Sequence, residues 1–99
     1  MQFLVLAHDG TDAEAPARRQ RVRADHLAAA GRLKASGHFI LGGAILDPEG
    51  RMVGSAVVFD FPDRAQLDDY LARDPYVTGK VWQHIEVHPF RVAEVQPPP

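Results

Sequence analysis

Chemistry in this 99-residue chain has to run on imidazole, carboxylate, hydroxyl and guanidinium groups, because it holds five His and thirteen Asp and Glu but no Cys. Thiolate nucleophiles, disulfides, iron–sulfur clusters and Cys-ligated zinc are thereby excluded. Two groups stand out by position. At 3.6 residues per turn, His26 shares one stripe with Val22, Ala29, Ala30 and Leu33. Asp74 falls seven residues after Leu67, at the end of a second apolar stripe that includes Tyr70 and Leu71. If both stripes face one sheet, an imidazole and a carboxylate converge. The carboxylate would then fix the His tautomer and raise its basicity, as a general base near neutral pH requires. Each group also has a plainer reading. A His on an apolar stripe is satisfied by a backbone carbonyl, and an Asp before Pro caps a new helical turn starting at Pro75. Capping and catalysis are expected to coexist only if one carboxylate oxygen stays free.

Other constellations carry less. His84, Glu86 and His88 alternate along the last strand with Trp82 on the same side, and imidazole and carboxylate are ligand types for zinc, iron or nickel. The same alternation is what a solvated edge looks like, and one strand strains the angles a metal prefers. We read these residues as surface or dimer-edge groups and expect no metal and no cofactor. Arg18, Arg19, Arg21 and Arg23 form a basic cluster. Arg18 and Arg21 belong to a solvated face opposite the acidic stretch 12–14, whereas Arg23 flanks the buried stripe beside His26 and is the candidate carboxylate binder. Gly42 and Gly43 precede no helix N-terminus, so they are not a phosphate loop. They mark a bulge or a close backbone approach at a pocket wall, with Gly43 a candidate substrate contact. Tyr70 and Trp82 read as core or interface, and Tyr76 can reach a pocket with its hydroxyl.

The elements that must position these groups follow from pattern. A strand over residues 2–8 ends in the turn-forming run 9–12; Pro16 opens a long helix that Gly37 terminates. Strands from His38 to Leu46 and Met52 to Phe61 flank a type I turn at Asp47-Pro48-Glu49-Gly50. A second helix runs from Pro62-Asp63 to about Arg73, and a last strand lies within Val81–Val95. The order βαββαβ predicts a ferredoxin-like α+β fold, two helices on one face of a four-stranded antiparallel sheet. We expect one domain, residues 1–95, and a flexible tail, 96–99. Both sides of the first and third strands are apolar, and two helices cover only one face. A second copy of the chain is expected on the other, giving a homodimer joined sheet to sheet.

Composition narrows the partners. A net charge of −2 gives no electrostatic reason to bind a polyanion, and no apolar run spans a bilayer, so neither nucleic acid nor membrane is an expected partner. The N-terminus has no basic region before its short apolar run, which favours a cytoplasmic location.

These residues resemble the YCII-related (YciI-like) family. Val22-Arg23-Ala24-Asp25-His26-Leu27 is similar to its Val-Arg-x-x-His-Leu segment, and Asp74-Pro75-Tyr76 to its Asp-Pro-Tyr. Ala7-His8-Asp9, Gly54-Ser55 and Val87-His88-Pro89-Phe90 fall in the family's order, so the resemblance spans nearly the whole chain. It departs at Leu41-Gly42-Gly43-Ala44, where many members carry Gly-Pro. The resemblance implies a dimeric α+β barrel and a His/Asp active site, with His26 and Asp74 in those roles and Ser55 and Arg23 as neighbours. It also implies kinship with enzymes such as muconolactone isomerases. The expected function is cofactor-independent proton transfer, of isomerase or lyase type, on a small organic acid, lactone or ring-derived substrate. The alternative is a non-catalytic small-ligand-binding or accessory module of the same fold.

Overall fold

In the computed structural model, which describes residues 1–99, strict alternation builds the first strand, β1 (Gln2–Asp9). Phe3, Val5 and Ala7 are buried on one side, while Leu4 and Leu6 are half-buried on the other. Helix α1 (Ala15–Ala35) carries Pro16 in its first turn and stops before Gly37, whose φ of +83° is the left-handed conformation that ends a helix at little cost to glycine. A hairpin of β2 (Phe39–Leu46) and β3 (Met52–Asp60) follows. The side chain of Asp63 then caps α2 (Arg64–Leu71) by accepting the Gln66 N–H, a contact worth about 1 kcal/mol. Asp74 caps a single turn, α3 (Pro75–Thr78), and β4 (Trp82–Phe90) completes the sheet.

The sheet order is β2-β3-β1-β4, and every neighbouring pair is antiparallel. β1 and β2 are joined through α1 and held apart by β3, the ferredoxin-like arrangement expected from the element order. Phe3, Val5, Val57 and Phe59 from the central strands meet Leu67 and Leu71 of α2 and Tyr76 of α3 in one core. Leu67 is wholly buried, which stabilises the fold by about 1.5–3 kcal/mol.

The expected barrel is not what forms. The sheet is open: β2 and β4 are its outer strands, separated by the paired β1 and β3, and do not pair with each other. The core lies between one face of this sheet and the helices, so the chain builds no closed barrel interior. The correction applies to the barrel only, since the four-stranded antiparallel ferredoxin-like sheet with flanking helices is present.

Two irregularities also differ from expectation. Trp82 does not share a face with His84. A register shift pairs Asp9 with Trp82 but His8 with His84, so Gln83 is an extra residue and Trp82 turns toward the helices, where it is buried. The β2–β3 ladder slips at Phe39/Leu41, where Ile40 is extra on β2, and at Ile45/Leu46, where Val53 is extra on β3, rather than at the glycine pair. Gly42 is nonetheless a close approach, because a Cβ there would lie 3.0 Å from the Phe39 ring and 3.1 Å from Val57.

Candidate functional site

The two stripes meet. His26 Nδ1–H donates to Asp74 Oδ1 at 2.9 Å, with the His26 side chain 11% exposed and that of Asp74 fully buried. A carboxylate can only accept, so a neutral imidazole must carry its proton on Nδ1, leaving the lone pair on Nε2. His26 lines a cavity of about 230 Å³ between α1 and the β2–β3 hairpin, and Nε2 has no partner within the chain.

Asp74 is held on three sides. The Tyr76 backbone N–H donates to Oδ1 at 2.8 Å, and the Tyr70 hydroxyl donates to Oδ2 at 2.5 Å. Capping and pairing therefore coexist without a free oxygen, because one oxygen has two lone pairs and accepts from both the helix turn and His26. Burial, and then the bond to Asp74, push the Tyr70 phenol well above its ordinary pKa, so it stays a donor at neutral pH. The His26 ring stacks on Tyr76 at 3.8 Å between centroids and 10° between planes, and meets Trp82 edge-on at 5.7 Å. Two aromatic contacts and one carboxylate leave the imidazole little freedom to rotate.

Of the remaining expected residues, Arg23, Gly43, Ser55 and Tyr76 all line the same cavity. Arg23 is half-buried and forms no ion pair within the chain. Tyr76 makes no side-chain hydrogen bond, and burial raises its phenol pKa against the opposing pull of Arg19 and Arg23. Ser55 accepts from Arg19 Nη2 at 3.0 Å and from Trp82 Nε1 at 3.1 Å.

Arg19 is what sequence reasoning missed. Its side chain is 5% exposed, lines the cavity, and gives both Asp9 carboxylate oxygens a hydrogen bond from Nη1 at 2.9 Å. Its carbon Cζ lies 4.7 Å from the Tyr76 ring centroid, and Nε is the single buried side-chain polar atom without a partner. Such an orphan costs about 1–3 kcal/mol. The signal was present: Arg19 lies seven residues before His26, so the apolar stripe continues through it. Arg18, by contrast, pairs with Asp12 at the surface as expected, and the pairing holds the Asp12 carboxyl below its usual range.

The cavity thus has a polar end and an apolar wall formed by Leu27, Ala30, Phe39, Met52 and Val57. Its charged lining is cationic, since Asp9 and Asp74 sit behind Arg19 and His26 rather than in the wall. A cavity of about 150 Å³ holds benzene, so this one fits a single substituted ring. His84 and His88 converge on Glu86 with His8, at 3.4–4.0 Å, along β1 and β4, but not among the residues that line the cavity. No group of three or more His, Cys, Asp or Glu is arranged to hold a metal ion. No helix is long and apolar enough to cross a membrane.

Comparison with known proteins agrees with this architecture. The family model described as the YCII-related domain matches residues 1–91. Among solved structures, the chain is similar to 5-chloro-2-hydroxyhydroquinone dehydrochlorinase (TftG) from Burkholderia phenoliruptrix AC1100 in complex with 2,5-dihydroxybenzoquinone. That match has a TM-score of 0.80 and 22% identity, covering 95% of this chain and 97% of the other. Muconolactone isomerase matches with a TM-score of 0.68 and 24% identity over 97% of this chain and 94% of its own. SnoaB, a cofactor-independent oxygenase from Streptomyces nogalater, matches with a TM-score of 0.57 and 16% identity over 96% of each chain. At these identities the likeness is one of fold. No curated protein matches the chain in sequence.

Proposed function

The chain belongs to the YCII-related domain family, and from that premise we propose that it is a small-molecule enzyme in which His26 and Asp74 transfer a proton on a small, ring-derived acid, lactone or hydroxylated ring. The observation that carries this is the pairing of His26 Nδ1 with the buried Asp74 while Nε2 has no partner in a residue that lines the cavity. In the proposed step, Nε2 takes a proton from a carbon next to a carbonyl, and the C–H electron pair moves onto the carbonyl oxygen as an enolate. Asp74 stabilises the imidazolium that forms. Return of the proton at another carbon completes an isomerisation. Expulsion of a leaving group with its electron pair completes an elimination instead.

Several features support the substrate class. The cavity volume suits one ring, the unpaired Arg23 favours an anionic oxygen or carboxylate, and structures of similar fold include a dehydrochlorinase with a bound dihydroxybenzoquinone and a lactone isomerase. Self-association belongs to the same proposal: the sheet face away from the helices is apolar at Leu4, Leu6, Leu41 and Ala56, and a second copy would cover it.

The test is incubation of the protein in D2O with hydroxylated benzoquinones and unsaturated carboxy-lactones, followed by NMR for deuterium uptake, isomerisation or loss of a leaving group. The wild type is expected to exchange or convert at least one compound and His26→Gln none. A compound that binds tightly and is recovered unlabelled and unchanged would overturn the proposal in favour of a ligand-binding module.

A further inference from the structure

Ser55 is fixed by two groups that can only donate. A guanidinium N–H and an indole N–H have no acceptor capacity, so the Arg19 and Trp82 hydrogen bonds occupy both lone pairs of Ser55 Oγ. The hydroxyl proton must then leave along the one remaining direction around the oxygen. No acceptor for it exists within the chain, and Ser55 is a cavity-lining residue, as are Arg19 and His26. A buried serine whose oxygen is saturated and whose proton is unclaimed is a donor waiting for an acceptor that the protein does not supply.

The arrangement behind it is equally committed. Asp9 closes β1 on the same side as Ala7 by simple alternation, and the bulge on β4 opposite it turns Trp82 to that helix-covered side as well. Asp9 holds Arg19, Arg19 and Trp82 hold Ser55, and the Tyr76 ring contacts both Arg19 and His26. A hydroxyl that accepts from a cation is polarised, which strengthens the bond it donates. Such a preorganised donor stabilises charge as it develops, without reorganisation at the moment of reaction.

We propose that Ser55, positioned by the Asp9–Arg19 pair and by Trp82, is the oxyanion donor of the cavity, and that the ligand it takes is a monocyclic compound whose ring-bound oxygen becomes an enolate or phenolate. The inference rests on the function proposed above, supplying the group that receives the charge when His26 removes the proton. Ser55 touches the substrate oxygen. Arg19 acts through Ser55 and is a positioning residue, which explains why a cation at the cavity is neutralised by a buried carboxylate instead of being left free as Arg23 is.

The test uses 4-nitrophenol, whose phenolate absorbs at longer wavelength than the phenol, so the ionisation of the bound probe is read directly and no turnover is needed. The wild type is expected to favour bound phenolate about tenfold over the free probe at the same pH, a shift of about one pH unit in its titration. Ser55→Ala should abolish the shift, Ser55→Thr should restore it, and Arg19→Lys, which keeps the charge but cannot bridge Asp9 and Ser55, should reduce it. Phenolate enrichment unchanged in folded Ser55→Ala would overturn the proposal, as would failure of the wild type to bind the probe. Either result leaves deuterium exchange by His26 standing, so the two proposals fail separately.

Discussion

At the scale of residues, the arrangement around Asp74 makes a sharp mutational prediction. The Tyr76 N–H is an obligate donor to Oδ1, so an Asn in this position keeps its carbonyl oxygen toward Tyr76 and His26 and turns its amide toward the Tyr70 oxygen. Asp74→Asn should therefore preserve the fold and the His26 tautomer while removing the charge that stabilises the imidazolium. A loss of turnover of about a hundredfold or more is expected, with circular dichroism unchanged. Tyr70 supplies a second prediction. Its phenol is pushed up in the folded state, first by burial and then by Asp74, so the folded protein holds that proton more tightly than the unfolded chain. The stability this contributes is fully present below the ordinary tyrosine pKa of about 10 and is lost as pH rises through the folded value. Denaturant melts in Tyr70→Phe should show a shallower alkaline decline than the wild type and, from the unpaired Asp74 Oδ2, a loss of about 1–3 kcal/mol at neutral pH. The His26–Asp74 pair was legible in the sequence because helical periodicity is strict. Arg19 was not, because a charged residue on an apolar stripe reads as solvated until its buried partner, Asp9, is known to lie opposite.

At the scale of elements, the order and approximate bounds of all four strands and the two longer helices follow from turn residues, caps and alternation. What pattern could not reveal is where a ladder slips. Period-two alternation placed Trp82 with His84, and one extra residue, Gln83, reverses that assignment and sends the indole to Ser55. The same closeness of strands limits substitution at Gly54 on β3, where a Cβ would lie 2.5 Å from the Ala7 carbonyl oxygen across the sheet. Gly54→Ala should destabilise the protein by at least about 1–3 kcal/mol in urea melts. Since Ala7 and Ser55 are cross-strand partners, the ligand cavity should be disturbed as well.

At the scale of the molecule, an open four-stranded sheet with helices on one side leaves a face on which Leu4, Leu6, Leu41 and Ala56 are bordered toward β4 by His8, His84, Glu86 and His88. Two apolar faces were evident from the sequence and call for a cover, whereas the barrel was implied by the family resemblance alone and is overturned by an open sheet with β2 and β4 as its outer strands. Light scattering is expected to give the mass of two chains, and Leu41→Glu, which places a carboxylate on that face at a side chain 57% exposed in the single chain, should give one. A wild type with the mass of a single chain would refute self-association.

The base role of His26 requires that Asp74 hold it with its proton on Nδ1 and its lone pair on Nε2. Long-range proton–nitrogen NMR of the imidazole at mildly alkaline pH reads this directly. A protonated Nδ1 and a bare Nε2 are predicted, in the wild type and in Asp74→Asn alike. A proton found on Nε2, or exchanging equally between the two nitrogens, would contradict the role given to His26 as the base.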